Sequence, residues 1–117
     1  MAKIVVIEDE KSVCEVVVLL LEHAGHRVEA FEDARPALER ADFRQTDLVV
    51  TDLEMPTSGE ELIQTLRRRG VQTPILVMSG HMDDDKKRRL ESLGAQETID
   101  KPFGIPHFLD RVKALIP

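Results

Sequence analysis

Five short apolar runs punctuate the chain, and a helical pattern follows each of them. Residues 4–7, 27–31, 47–51, 74–78 and 96–100 read as strands, most of them dense in Val, Ile and Leu. Segments 12–24, 34–41, 60–69, 83–93 and 106–116 instead repeat their apolar residues at helical spacing. Gly25, Gly70 and Gly94 stand after the first, third and fourth of these, where a left-handed cap is expected. Asp83, Asp84 and Asp85 load the start of the fourth helix with the charge its dipole favours, and Pro106 fits a first helical turn. Strands without clean polar alternation are those covered on both faces. The pattern therefore predicts an α/β fold, a doubly wound five-stranded parallel sheet with five helices and right-handed crossovers.

The first helix is unusually apolar. Val13, Val17, Leu20 and Ala24 are expected to form its core stripe, with Val16 and Leu21 at the margin. Cys14 and Val18, four residues apart, then fall nearer the outer face. They read either as isolated surface residues or as a docking patch for a helix of another protein.

Length and composition narrow the class. A chain of 117 residues fits one domain, 1–117, with a core of its own. No apolar run nears the ~20 residues that cross a bilayer, since 16–21 is closed off by Glu15 and Glu22, so no membrane association is expected. A single cysteine, Cys14, excludes an internal disulfide and CxxC chemistry, and a cytoplasmic location is expected. A net charge of −6, with four Phe and no Trp or Tyr, argues against a nucleic-acid surface. The basic clusters at 67–69 and 86–89 read as solvated helix faces. The chain stops just after the fifth helix, which suits either a domain acting alone or one detached from an output domain.

The strand ends carry the chemistry. In an open α/β sheet, ligands bind at the carboxyl ends of the strands, near the switch point in strand order. Those ends are Glu8 and Asp9 after the first strand, Asp52 after the third, Ser79 and Gly80 after the fourth, and Lys101 after the fifth. Three acids against one lysine leave a residual charge that one divalent cation would neutralise. Hard oxygen ligands favour Mg²⁺, with a backbone carbonyl near Glu54 as a further ligand. A cation, a lysine and a hydroxyl converging on Asp52 suit phosphate chemistry, and a carboxylate can itself be the nucleophile, giving an aspartyl phosphate. Ser79 and the Gly80 N–H would donate to the phosphoryl oxygens.

The motifs IVVIEDE, LVVTDLEMP, ILVMSGH and IDKPF, at these spacings, resemble the receiver domains of two-component response regulators over essentially the whole chain. The resemblance implies strand order 2-1-3-4-5 and a phosphorylation-activated signalling switch, not an enzyme acting on other substrates. It implies transfer of a phosphoryl group to Asp52 from a sensor histidine kinase or a histidine phosphotransfer protein. Glu8, Asp9, Asp52 and the Glu54 carbonyl would bind Mg²⁺, Ser79 would be the switch hydroxyl, and Lys101 would contact the phosphoryl group. A downstream protein target or an output domain would read the state. A cis Lys101–Pro102 bond is also implied.

The chain departs from the family pattern at three places. Glu8 stands where Asp is commoner. Only Thr57 and Ser58 lie between Met55–Pro56 and Gly59, one residue fewer than usual. Thr98 occupies the position of a ring that commonly swings inward, which puts the aromatic rotamer switch in question. Glu54 and His81, two residues beyond Asp52 and Ser79, are candidates for tuning the lifetime of the acyl phosphate. Two other functions would use the same acids. A haloacid-dehalogenase-like phosphatase also has an aspartyl nucleophile, but Glu54 and Pro56 fit it poorly and a cap domain has no room. A toprim-like nucleic-acid module would use Glu8, Asp52 and Glu54 as metal ligands, against the −6 charge.

Overall fold

In a computed structural model that describes residues 1–116, the strands are β1 (Lys3–Ile7), β2 (Arg27–Phe31), β3 (Leu48–Asp52), β4 (Ile75–Ser79) and β5 (Glu97–Asp100). Pro117, the last residue of the expected domain, lies outside the described residues. All neighbours run parallel, in the order β2-β1-β3-β4-β5. The helices are α1 (Lys11–His23), α2 (Ala34–Arg40), α3 (Gly59–Arg68), α4 (Asp84–Leu93) and α5 (Ile105–Leu115). The expected fold class, strand order and element count hold.

Alternate residues of each strand feed opposite faces of the sheet. Ile4, Val6, Leu48, Val50, Leu76 and Met78 pack with Val17 and Leu21 of α1 and Phe108 and Val112 of α5. Val5, Ile7, Val49, Ile75 and Val77 pack with Leu62, Ile63 and Leu66 of α3 and Leu90 of α4. Burial of one such side chain contributes about 1.5–3 kcal/mol, so the two layers dominate the stability of the fold. β3 and β4 are buried at all five positions, which explains their unbroken apolar sequence.

The helix signals hold with small shifts. Gly25, Gly70 and Gly94 have positive φ, Pro106 sits in the first turn of α5, and the Lys101–Pro102 peptide is cis. Asp83 is the N-cap of α4 and not its first residue: its Oδ1 accepts from the Lys86 N–H at 2.7 Å. A 3-10 turn over Phe43–Gln45, capped by Asp42, was not foreseen because three residues are too few to show a period.

Two expectations fail. On α1, Val17 is buried and Val13 and Leu20 pack beside it as expected, but the rest of the stripe differs. Leu21 is fully buried, Cys14 and Val18 are half-buried, and Ala24 is an exposed cap residue beyond the helix. The outermost apolar residues are Val16 and Leu19, at 51% and 66% exposure, so Cys14 and Val18 are no outer patch. Instead they line a cleft of about 610 Å³ with Ala30 and Phe31. Burial, and then the negative Glu8, Glu15 and Glu32, push the Cys14 thiol above its ordinary value, which disfavours a nucleophilic role. Arg67 is the second exception, because it is no solvated face. Its guanidinium reaches the carbonyls of Gly94, Val71 and Thr73 and the Gln96 Oε1, joining the end of α3 to the starts of β4 and β5. That planar fork can satisfy several acceptors at once. A Cβ on Gly94 would lie 2.7 Å from Arg67 Nε, so this glycine is needed for space as well as for its φ of 121°. In the other cluster, Arg88 and Arg89 do meet acids, Asp85 and Glu60.

Candidate functional site

The strand order reverses between β1 and β3, and the crevice opens at their carboxyl ends. It holds about 530 Å³ and is lined by Asp9, Glu10, Asp52, Glu54, Gly80, His81 and Lys101. Asp52 is the last residue of β3, one position further into the strand than the apolar run suggested, because it stays in register with Met78. Ser79 likewise ends β4, paired with Asp100. Parallel register thus delivers side chains from distant sequence positions to one rim.

Glu8, Asp9 and Asp52 each offer a carboxylate oxygen, and the three lie within 4.8 Å of one another. Glu8 is 1% exposed and Asp52 4%, whereas Asp9 faces solvent. Lys101 Nζ bridges the two buried acids, 3.1 Å from Glu8 Oε1 and 3.2 Å from Asp52 Oδ1. Glu8 Oε2 also accepts from the Glu10 N–H at 3.1 Å, and Asp52 Oδ1 from the Leu53 N–H at 2.9 Å. The N-cap of α1 is Glu10, so Asp9 is not tied down as a helix cap.

Burial pushes the Asp52 carboxyl above its ordinary value, and neighbouring Glu54 adds to this, while Lys101 and the Leu53 N–H only partly offset it. Glu8 is raised for the same first reason, burial, with Asp52 as its repelling neighbour. Burial disfavours the charge on Lys101, yet Glu8 and Asp52 outweigh it and hold the ammonium above its ordinary value. One lysine stays firmly protonated but cannot compensate two buried carboxylates. The rim is short of positive charge, and its donors are all hard oxygens. That combination fits a divalent cation.

The remaining expected residues surround this cluster. Ser79 is fully buried, and its Oγ donates to Glu54 Oε1 at 2.7 Å and accepts from the His81 N–H at 3.2 Å. The Glu54 side chain is exposed but engaged, a role the sequence reading did not assign to it. Gly80 and His81 are exposed at the mouth, and the His81 carbonyl accepts from Lys86 Nζ at 2.8 Å. Thr98 lies half-buried in β5, opposite Val77.

The short loop after β3 closes economically. Asp33 Oδ1 accepts from the Thr57 N–H, Ser58 caps α3 through the Glu61 N–H, and the Gly59 N–H returns to the Leu53 carbonyl. Gly59 passes so close that a Cβ would sit 2.7 Å from the Asp52 carbonyl oxygen.

Comparison with known proteins agrees with this geometry. The family profile of the response regulator receiver domain matches residues 4–113. The chain is 33% identical over 117 residues to the response regulator ArlR of Staphylococcus saprophyticus, covering 99% of this chain and 53% of the relative. It is 34% identical over 116 residues to the alkaline phosphatase synthesis transcriptional regulatory protein PhoP of Bacillus subtilis, covering 97% and 48%. It therefore spans about half the length of the curated relatives it matches. Among solved structures, the chemotaxis protein CheY4 of Vibrio cholerae superposes with a TM-score of 0.92 at 29% identity, over 99% of both chains. The response regulator TrrA of Thermotoga maritima, solved in complex with Mg²⁺ and BeF, superposes with a TM-score of 0.87 at 27% identity, over 99% of this chain and 100% of that one. Among the described residues, no helix is long and apolar enough to cross a membrane.

Proposed function

The chain belongs to the receiver domains of two-component response regulators, and we propose that its switch is charged on Asp52 by a phosphohistidine donor with Mg²⁺ bound. The observation that carries this is the Lys101 bridge between Glu8 and Asp52, set in a cluster of three carboxylates. The profile match over residues 4–113 leaves the phosphatase and toprim readings without support.

Each residue of the rim has a role in this reading. An Asp52 carboxylate oxygen forms a bond to phosphorus as the donor's N–P bond breaks, and the departing imidazole nitrogen keeps the electron pair. Lys101 faces the charge that spreads over the phosphoryl oxygens, and the Ser79 hydroxyl, once turned from Glu54, and the Gly80 N–H would donate to them. Glu8, Asp9, Asp52 and the Glu54 carbonyl would hold Mg²⁺, which supplies positive charge for the transferring group. The TrrA complex with Mg²⁺ and BeF supports this, since its chain aligns with this one over nearly full length. The donor is a sensor histidine kinase or histidine phosphotransfer protein, and the reader is a downstream protein or an output domain. His81 and Glu54 bound the approach of water to the acyl phosphate. Thr98 replaces an aromatic ring, so coupling to α4 runs through the loop after Ser79.

Incubation with acetyl phosphate tests the proposal by intact mass. Wild type should gain one phosphoryl group only when Mg²⁺ is present, and Asp52→Asn should gain none. Modification that persists in Asp52→Asn, or that ignores Mg²⁺, overturns it.

A further inference from the structure

The Ser79 hydroxyl has one proton, and in this structure that proton points at Glu54. The Oγ–Oε1 distance of 2.7 Å is that of a well-formed hydroxyl hydrogen bond, and an ionised acceptor makes such a bond about twice as strong as a neutral one. A hydroxyl directed at Glu54 is not available to a phosphoryl oxygen on Asp52, because it has no second hydrogen to donate. Glu54 is exposed and, among the described residues, takes part in no ion pair, so its carboxylate is committed to this contact alone.

We propose that Glu54 is a latch on Ser79, holding the hydroxyl in its resting orientation and competing with the phosphoryl group for its single proton. This rests on Asp52 being the phosphoacceptor. Charging Asp52 and releasing Glu54 are then one event, and each opposes the other by the same factor. The release also reaches α4. Ser79 Oγ is the acceptor for the His81 N–H, and the His81 carbonyl is held by Lys86 in the first turn of that helix. When the Ser79 side chain turns about χ1 to carry Oγ to the phosphoryl group, the His81 N–H loses this acceptor, and the loop before α4 moves with it. Glu54 is therefore a positioning residue that sets how readily the active arrangement forms.

A double-mutant cycle reads this directly, with beryllofluoride as the phosphoryl stand-in at saturating Mg²⁺ and affinity followed by NMR titration. Glu54→Ala keeps the backbone carbonyl and should tighten binding about tenfold, the equivalent of about 1.4 kcal/mol. Glu54→Gln retains a neutral acceptor and should fall between the two. In a Ser79→Ala background, Glu54→Ala should change affinity less than about twofold, because no hydroxyl remains to be held. An unchanged or weaker affinity in Glu54→Ala overturns the latch. So does an equal gain in the Ser79→Ala background, which would mean that Glu54 acts only by repelling the anion. Failure of wild type to bind beryllofluoride with Mg²⁺ would instead remove the phosphoacceptor reading, and the latch with it.

Discussion

Replacing Asp52 by asparagine keeps the shape of the side chain and an acceptor for the Leu53 N–H but deletes one buried charge. At an effective dielectric constant of about 20, the attraction of Asp52 to Lys101 at 3.2 Å is roughly 5 kcal/mol. Repulsion from Glu8, no more than 4.8 Å away, returns at least roughly 3.5 kcal/mol of this. The remaining attraction, at most about 1.5 kcal/mol, is smaller than the several kcal/mol that taking a carboxylate out of water costs. Without metal, Asp52→Asn should thus be more stable than wild type by about 1–2 kcal/mol. For a chain of this size that is a rise of roughly 4–8 °C in Tm.

Thermal unfolding followed by circular dichroism, in chelator and in Mg²⁺, measures both halves of this balance. Mg²⁺ at ten times its Kd should stabilise wild type by about 1.4 kcal/mol and close most of the gap, while the Asn variant should respond little. The gap should also narrow on acidification. Burial raises the folded pKa of Asp52, so the folded state binds the extra proton first, and the penalty fades as pH falls toward the ordinary value of 3.8. A metal-free Asn variant that melts at or below wild type would refute this account of the site as short of positive charge.

Three further outcomes follow from other contacts. Lys101→Met leaves Glu8 and Asp52 buried without a cation and should cost about 3–5 kcal/mol in metal-free urea unfolding; a cost below about 1 kcal/mol would mean the acids are not truly desolvated. Arg67→Ala strands the carbonyls of Gly94, Val71 and Thr73 and should lower stability by about 2–3 kcal/mol, and Arg67→Lys should recover little, because an ammonium cannot span them. Asp33 is held below its ordinary carboxyl value: burial opposes this, but the Thr57 N–H and hydroxyl and the Ala34 and Arg35 N–H groups outweigh it. Its stabilisation is present above the ordinary value of 3.8 and lost as pH falls through the folded one, so Asp33→Asn should flatten the acid limb of a urea-midpoint profile against pH.

The sheet and most of the rim were legible in the sequence because their signals are one-dimensional. Apolar runs ending in Glu8, Asp52 and Ser79, with helices between them, force a parallel topology, and that topology alone gathers the acids. Contacts that depend on rotation about a helix or on a side chain's reach were not legible. Spacing alone put Ala24 in the α1 stripe and Leu21 at its margin, whereas packing in the layer of Ile4, Val6 and Val50 buries Leu21 instead. Arg67 and its neighbours Arg68 and Arg69 look alike in sequence, yet only one guanidinium finds three carbonyls. The Glu54–Ser79 bond joins residues 25 apart through two loops, and no periodic pattern encodes it.

Lys101 reaches across 93 positions to Glu8 and is the cation that two buried acids share. During synthesis the first strand therefore leaves the ribosome long before its counter-charge does, and a stalled or truncated chain presents carboxylates that resist entering the interior. If Asp52 is charged as proposed, that chemistry awaits the strand that brings Lys101 to the rim.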